Sequence, residues 1–254
     1  MHDLEGKTVL LTGASRGIGA ATARALGEAG ASVIAHYGSH RGGAEDAVAA
    51  IPQSDRLLLQ ADLSQRGAAR KLWREAVAWH GRVDVLVVNA ATMPTTAFDG
   101  SDEEWDEGWA LAAQVNLLEP ASLIREAVRH FLEQEGGIVI ALSSWAAQRG
   151  SAISHLGGYA ASKAALASLT QTVARNYAAA GILAYVVAPG IVRTRLSESS
   201  AAARGGIEAV NAALALGEMV PPEEVAELIV FLASGRCRHL TGATIDVNGA
   251  SNIR

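Results

Sequence analysis

Tyr159 and Lys163 stand four residues apart in Tyr159-Ala160-Ala161-Ser162-Lys163, at the start of an Ala-rich stretch that reads as a helix to about Ala180. Residues at i and i+4 share a helix face, so a phenol and an ammonium would meet there. A free phenol titrates near 10 and is a poor acid-base group at neutral pH; a neighbouring cation favours the phenolate and draws that value down. Tyr-x3-Lys pairs are common on helix surfaces, so this one needs company to mean catalysis. Upstream, Ile138-Val139-Ile140-Ala141-Leu142-Ser143-Ser144 reads as a strand ending in hydroxyls. Asn116 lies inside the apolar helical stretch Gln114-Val115-Asn116-Leu117-Leu118. Asparagine is a mediocre helix former there, so a structural hydrogen bond or a place in a site must account for it.

A second chemistry-bearing segment is Thr12-Gly13-Ala14-Ser15-Arg16-Gly17-Ile18-Gly19, spaced G-x3-G-x-G. Backbone amides in such a turn, backed by a helix N-terminus, suit an anion. Glycine is required where the chain turns tightly or where backbone approaches a pyrophosphate. A Gly-rich turn alone can be purely structural; one placed between a buried strand and a helix is better evidence for a nucleotide.

The elements that must position these groups alternate along the chain. Strands are expected at residues 8–12, 31–37, 57–61, 83–88, 137–142, 182–188 and 244–247, and helices over residues 17–30, 43–51, 67–80, 121–133 and 160–180. Val83–Val88 is nearly all apolar, the mark of a strand buried on both faces of a parallel sheet. This alternation predicts right-handed βαβ crossovers: a single-domain Rossmann-type α/β fold, with a doubly wound parallel sheet and helices on both faces, spanning residues 1–254. Residues 194–217, rich in Ala, Ser and Gly, read as an insertion between strand and helix.

Taken together, the motifs resemble those of the short-chain dehydrogenase/reductase family, in matching order from Lys7 to Gly249. The resemblance implies a catalytic tetrad of Asn116, Ser144, Tyr159 and Lys163, with Ser143 as the alternative serine. Tyr159 would be the general acid/base, Ser144 would bond the substrate oxygen, and Lys163 would support the phenolate and the cofactor ribose. Asn116 would keep its helix open around a water. The gap from Ser144 to Tyr159 is longer than usual in the family. The resemblance also implies cofactor contacts from Gly13, Ser15, Arg16, Gly17, Ile18 and Gly19 in the turn, and from Asp62 and Leu63 at the adenine. Asp62 or Ser64 as an ordinary helix cap is the competing reading. Further contacts are implied at Asn89, Ala90 and Ala91, and from Tyr159 and Lys163. Val88 and Ala91 depart from the family's Asn-Asn-Ala-Gly, which places the strand-steadying side-chain bonds in question. Pro189, Gly190, Val192 and Thr194 match the segment that holds the nicotinamide, and residues 194–217 match a substrate lid.

The second strand closes with His36-Tyr37-Gly38-Ser39-His40-Arg41, and the next acid is Glu45. NAD-selective sites carry an acid near that strand end for the ribose 2′-hydroxyl. Its absence, with Tyr37, Ser39, His40 and Arg16 available to a 2′-phosphate, points to NADP(H) over NAD(H). The expected activity is hydride transfer between nicotinamide and a ketone or secondary alcohol, 3-oxoacyl thioesters among the candidates. A nucleotide-sensing protein without turnover would have little reason to keep the tetrad intact.

Of the 254 residues, 21 are Lys or Arg and 26 Asp or Glu, a net charge of −5 that lacks the basic excess nucleic-acid binding needs. The lone Cys237 excludes an internal disulfide, and the scattered histidines carry no metal-binding spacing. The first residues lack the basic cap and apolar run of a signal peptide, and no run reaches membrane-spanning length. A soluble, cytoplasmic protein is expected, and the Ala-rich helices suggest a homo-oligomer, dimer or tetramer. Trp145 and Met93 fall near the expected pocket mouth, ordinary packing being the alternative, and His155, four residues before Tyr159, reads as an exposed loop residue, contact with substrate being the alternative. Arg193 and Arg195 could meet an anionic substrate, solvated charge being the alternative.

Overall fold

The computed structural model describes residues 4–194, 197–198, 201 and 205–253, so Arg195 lies outside the described residues. Strands β1 (Thr8–Leu11), β2 (Ser32–Tyr37), β3 (Arg56–Gln60), β4 (Val85–Val88), β5 (Gly137–Leu142), β6 (Ile182–Pro189) and β7 (Thr244–Val247) form one sheet. Its order is β3-β2-β1-β4-β5-β6-β7, and every pairing is parallel. The helices are α1 (Gly17–Glu28), α2 (Arg41–Ala47), α3 (Ala68–His80), α4 (Asp102–Ala113), α5 (Glu119–Glu133), α6 (Ala146–Arg149), α7 (Gly157–Tyr177), α8 (Gly206–Ala212) and α9 (Pro222–Ala233).

Strand side chains alternate between faces, and both faces are covered. Val9, Leu11, Val33, Val85 and Ile140 pack with Leu26 of α1 and Ile229 of α9. Leu10, Ile34, Leu86 and Val139 pack on the other side with Leu72 of α3, Phe131 of α5 and Leu166 of α7. This is the Rossmann-type architecture expected from the alternation.

Several boundaries differ from the sequence expectation for local reasons. Helix α1 stops at Glu28 because Gly30 turns the chain at φ +86°. Helix α2 begins early, capped by His40, and ends at Ala47 instead of running to Ile51; Pro52 disfavours helical backbone at the residue before it. Residues Gln114–Leu118 form a π-helical turn joining α4 to α5.

Strand order reverses at β1 and β4, opening a crevice at their C-terminal ends, where ligands of such sheets bind. Every segment that reaches this crevice leaves a strand end: Thr12–Gly19 after β1, Asn89–Thr92 after β4, Ser143–Ser144 after β5 and Gly190–Thr194 after β6. A parallel bridge joins Val192 to Val220. Ala201, Val210 and Met219 form a small apolar cluster with Ile191 and Leu214.

Candidate active site

The turn after β1 is held from three sides. Thr12 Oγ1 accepts from the amides of Asn89 and Ala90 at 2.9 and 3.0 Å. Asn89 Nδ2 donates to the carbonyls of Thr12 and Gly13 at 2.9 and 3.1 Å. The side-chain bonds that the departures at Val88 and Ala91 put in question are therefore made by Asn89. A Cβ on Gly19 would stand 2.0 Å from the Gly13 carbonyl oxygen, and one on Gly13 2.9 Å from Ala90 Cα. These glycines are a steric necessity, and they leave the start of α1 without a side-chain cap: Arg16, at the N-cap position, is extended and makes no such bond. A bare helix N-terminus over a Cβ-free turn fits a diphosphate.

Tyr159 and Lys163 lie on α7 as the spacing predicts. Lys163 Nζ lies 6.0 Å from the Tyr159 ring centroid and donates to the Leu142 carbonyl at 2.6 Å. The two serines at the end of β5 divide their work. Ser143 Oγ donates to the Lys163 carbonyl at 2.9 Å, fastening α7 to the strand. Ser144 Oγ accepts from the Ala146 amide at 3.2 Å, and its hydroxyl reaches near enough to the Tyr159 phenol to favour the phenolate.

The electrostatics differ from the expectation that the ammonium draws the phenol down. Burial pushes the Tyr159 phenol above its ordinary value, and the Ser144 hydrogen bond offsets part of that rise. Burial also brings the Lys163 ammonium down to about 8. Desolvation dominates at both groups because both are buried, with Nζ spent on a backbone carbonyl.

Asn116 is fully buried in the π-helical turn. Its Oδ1 accepts from the Thr92 amide at 2.8 Å, and its Nδ2 donates to the Thr92 carbonyl at 2.9 Å and to Ser162 Oγ at 3.1 Å. Ser162 Oγ in turn donates to the Tyr159 carbonyl at 2.8 Å. One side chain thus ties the loop after β4 to α7, a structural duty that accounts for a mid-helix asparagine.

At the opposite end, Asp62 is exposed, and its carboxylate accepts from the Ser64 amide and hydroxyl at 2.9 and 2.7 Å. These bonds hold it below the ordinary carboxylate range. It closes a short turn and does not cap α3, whose N-cap is Gly67. Leu63 is buried in the core, so only its backbone faces outward. Arg16, Ser39 and His40 are exposed around the turn, and Tyr37 is buried. His40 Nδ1 accepts from the Gly43 amide at 3.0 Å and caps α2. Arg41 donates to Glu45 at 2.7 Å and also bonds Tyr37.

Beyond β6, Pro189 still belongs to the strand, and Gly190 packs so closely that a Cβ there would meet Asn248 at 2.8 Å. The Val192 carbonyl accepts from Ser197 Oγ, and Thr194 Oγ1 shares a hydrogen bond with the same hydroxyl at 3.2 Å. The space over Gly17 is occupied by Thr194, whose Cγ2 would lie 2.8 Å from an added Cβ. This sets the segment after β6 against the phosphate turn. Ser15 and Ile18 complete that turn, Ile18 packing on the core below it. Trp145 stacks under the Arg149 guanidinium, 5.2 Å from ring centroid to Cζ. His155 and Arg193 are exposed, and Met93 is half-buried.

Two residues that sequence reasoning passed over sit beneath the site. His36 is buried under the glycine turn. Glu119, also buried, follows the π turn; its carboxylate accepts from the Gly67 and Ala69 amides at 2.9 and 2.7 Å and from Gln114 at 3.1 Å. A charged residue within a helix pattern and a histidine after the apolar run Val33–Ala35 are the only signals of either.

Among the described residues no helix is long and apolar enough to cross a membrane. A family model described as Enoyl-(Acyl carrier protein) reductase matches residues 13–251. The chain is 35% identical over 254 residues to 3beta-hydroxysteroid dehydrogenase 1 of Eggerthella lenta, covering 99% of this chain and 95% of that protein. It is 31% identical to the 3-oxoacyl-[acyl-carrier-protein] reductase FabG of Staphylococcus aureus, over 96% of this chain and 97% of that one. A crystal structure of a 3-oxoacyl (acyl-carrier-protein) reductase from Agrobacterium tumefaciens C58 with NADP bound superposes with a TM-score of 0.88 at 34% identity. That match covers 98% of this chain and 95% of the other. With this match across nearly its whole length, the chain is an oxidoreductase that belongs to the short-chain dehydrogenase/reductase family.

Proposed function

We propose that this enzyme uses NADP(H) to interconvert a ketone and a secondary alcohol, with Tyr159 as the general acid/base. The observation that carries the reading is the convergence of Ser144, at the end of β5, on the Tyr159 phenol, with Lys163 Nζ 6.0 Å from the same ring. When bound, a nicotinamide cofactor supplies the hydride chemistry. Gly13, Ser15, Arg16, Gly17, Ile18 and Gly19 would hold its diphosphate; Asp62 and the Leu63 backbone would hold the adenine. Asn89, Ala90 and Ala91, with Pro189, Gly190, Val192 and Thr194, would line the nicotinamide end.

In reduction, Tyr159 delivers its phenolic proton to the substrate oxygen as negative charge develops there. Ser144 donates a hydrogen bond to the same oxygen and holds it against the phenol. Lys163 stabilises the phenolate left behind. The neutral, proton-bearing phenol that burial favours is the form this direction requires. Alcohol oxidation follows the same path in reverse. The segment 194–217 acts as a lid over the site, as its contact through Thr194 with the turn at Gly17 supports.

Candidate substrates are 3-oxoacyl thioesters, the class named for the Staphylococcus and Agrobacterium relatives, and cyclic alcohols such as the hydroxysteroids named for the Eggerthella relative. The test is consumption of NADPH against a panel of both; no turnover with any ketone contradicts the reading. NAD(H) is the second reading, favoured by the engagement of Arg41 with Glu45 and Tyr37 and of His40 in a helix cap, which leaves Arg16 and Ser39 to meet a 2′-phosphate. A higher kcat/KM with NADH than with NADPH decides for it. Exposed Leu111 and Leu118 support a homo-oligomer, dimeric or tetrameric; a monomeric mass by light scattering contradicts the assembly.

A further inference from the structure

His36 is the penultimate residue of β2 and is 2% exposed. Its ring makes two bonds to backbone. Nδ1 accepts from the Gly13 amide at 3.1 Å, and Nε2 stands 3.0 Å from the Ala61 carbonyl. An acceptor at Nδ1 fixes the tautomer: the proton is on Nε2 and is donated to Ala61. The His36 carbonyl also accepts from the Ala14 amide at 2.9 Å. One residue therefore holds two successive amides of the glycine turn and, through Ala61, the start of the segment that carries Asp62.

We propose that His36 is a positioning residue for the cofactor: its neutral, Nε2-protonated ring latches the Gly13 amide inward and so keeps the phosphate-facing turn in shape, and protonation at Nδ1 releases the latch. A ring bearing hydrogens on both nitrogens would turn a donor against the Gly13 N–H, leaving that amide without an acceptor. The surroundings support the neutral form. From the turn the ring meets backbone amides, and from β3 a carbonyl. Asp62, one residue beyond that carbonyl, commits its carboxylate to Ser64 and Gln65. Tyr37, the next residue of β2, bonds Arg41, and Arg16 is exposed on the turn. Burial accordingly holds the His36 imidazolium below its ordinary range.

The inference rests on the assignment of NADP(H), and its test separates the two. NADPH dissociation constants are measured on the full chain, His36→Leu and His36→Asn from about pH 5.5 to about pH 8, beside the ring nitrogen shifts of His36 in the cofactor-free wild type. The wild type is expected to show an Nε2-protonated ring and to lose affinity on acidification. His36→Leu is expected to weaken NADPH about ten-fold or more without a step in pH. His36→Asn, which places an acceptor near the Nδ1 position, is expected to recover part of that affinity, again without the step. An Nδ1-protonated ring in the wild type overturns the latch, as does a folded His36→Leu with unchanged affinity and pH dependence. If His36→Leu does not fold, His36→Asn and the tautomer decide. A wild type that binds no NADPH overturns the cofactor assignment, while the tautomer still decides the latch.

Discussion

Lys163 Nζ donates to the carbonyl of Leu142 at 2.6 Å, so the cation of α7 is anchored to the last residue of β5. This bond keeps a fully desolvated ammonium in place one residue before the serine pair. Its cost is visible in the descent of Lys163 to about 8 from an unfolded value near 10.5.

That shift predicts a trade between function and stability. A lysine whose folded value is depressed destabilises the native state wherever it is protonated in both states, below about pH 8. Between about 8 and 10.5 the unfolded chain binds more protons than the folded one, so stability contributed by this group rises with pH. Lys163→Met is expected to lose turnover yet to be more stable than the wild type by about 2 kcal/mol at neutral pH, after discounting the lost bond to Leu142. Urea midpoints at neutral pH and near pH 10 check this: the gain shrinks at the higher pH.

Gly19 tests the phosphate turn. An added Cβ would stand 2.0 Å from the Gly13 carbonyl oxygen, so Gly19→Ala must open the turn. The expected result is a loss of NADPH affinity of about ten-fold or more, measured by titration. Wild-type affinity in that variant would contradict the placement of the diphosphate.

Asn116, on the π turn, and Glu119, the first residue after it, lie three residues apart and bind different segments. Asn116→Leu leaves the Thr92 amide and carbonyl without their partner and is expected to cost about 2–4 kcal/mol. Glu119→Gln faces amide donors at Gly67 and Ala69 with a group that has one acceptor, and is expected to cost about 1–3 kcal/mol. Chemical denaturation measures both. Asn116→Leu should also lower kcat more than Glu119→Gln does, because Asn116 alone of the two reaches Ser162 beside Tyr159.

Much of this arrangement was legible in the sequence because it is local. Strand β4 declares itself by unbroken apolar residues, and Tyr159 and Lys163 share a face through helical period alone. The strand pattern favours Ser144 over Ser143 for the substrate oxygen but is silent on what Ser143 does, and in the structure Ser143 donates to the Lys163 carbonyl. What the sequence hid is nonlocal. The bond from His36 to Gly13 spans 23 residues and that from Glu119 to Ala69 spans 50. Neither follows from period or propensity, since both depend on which strands and helices end up adjacent. The direction of the Tyr159 shift was misread for the same reason: the spacing brings in a cation, but burial, a property of the assembled fold, outweighs it.

The most direct test replaces Tyr159 with phenylalanine and follows ketone reduction at saturating NADPH, alongside NADPH binding to the same variant. The account predicts unchanged cofactor affinity with kcat reduced ~10²- to 10⁴-fold, the proton having no donor. A Tyr159→Phe enzyme that turns over at close to the wild-type rate would contradict it.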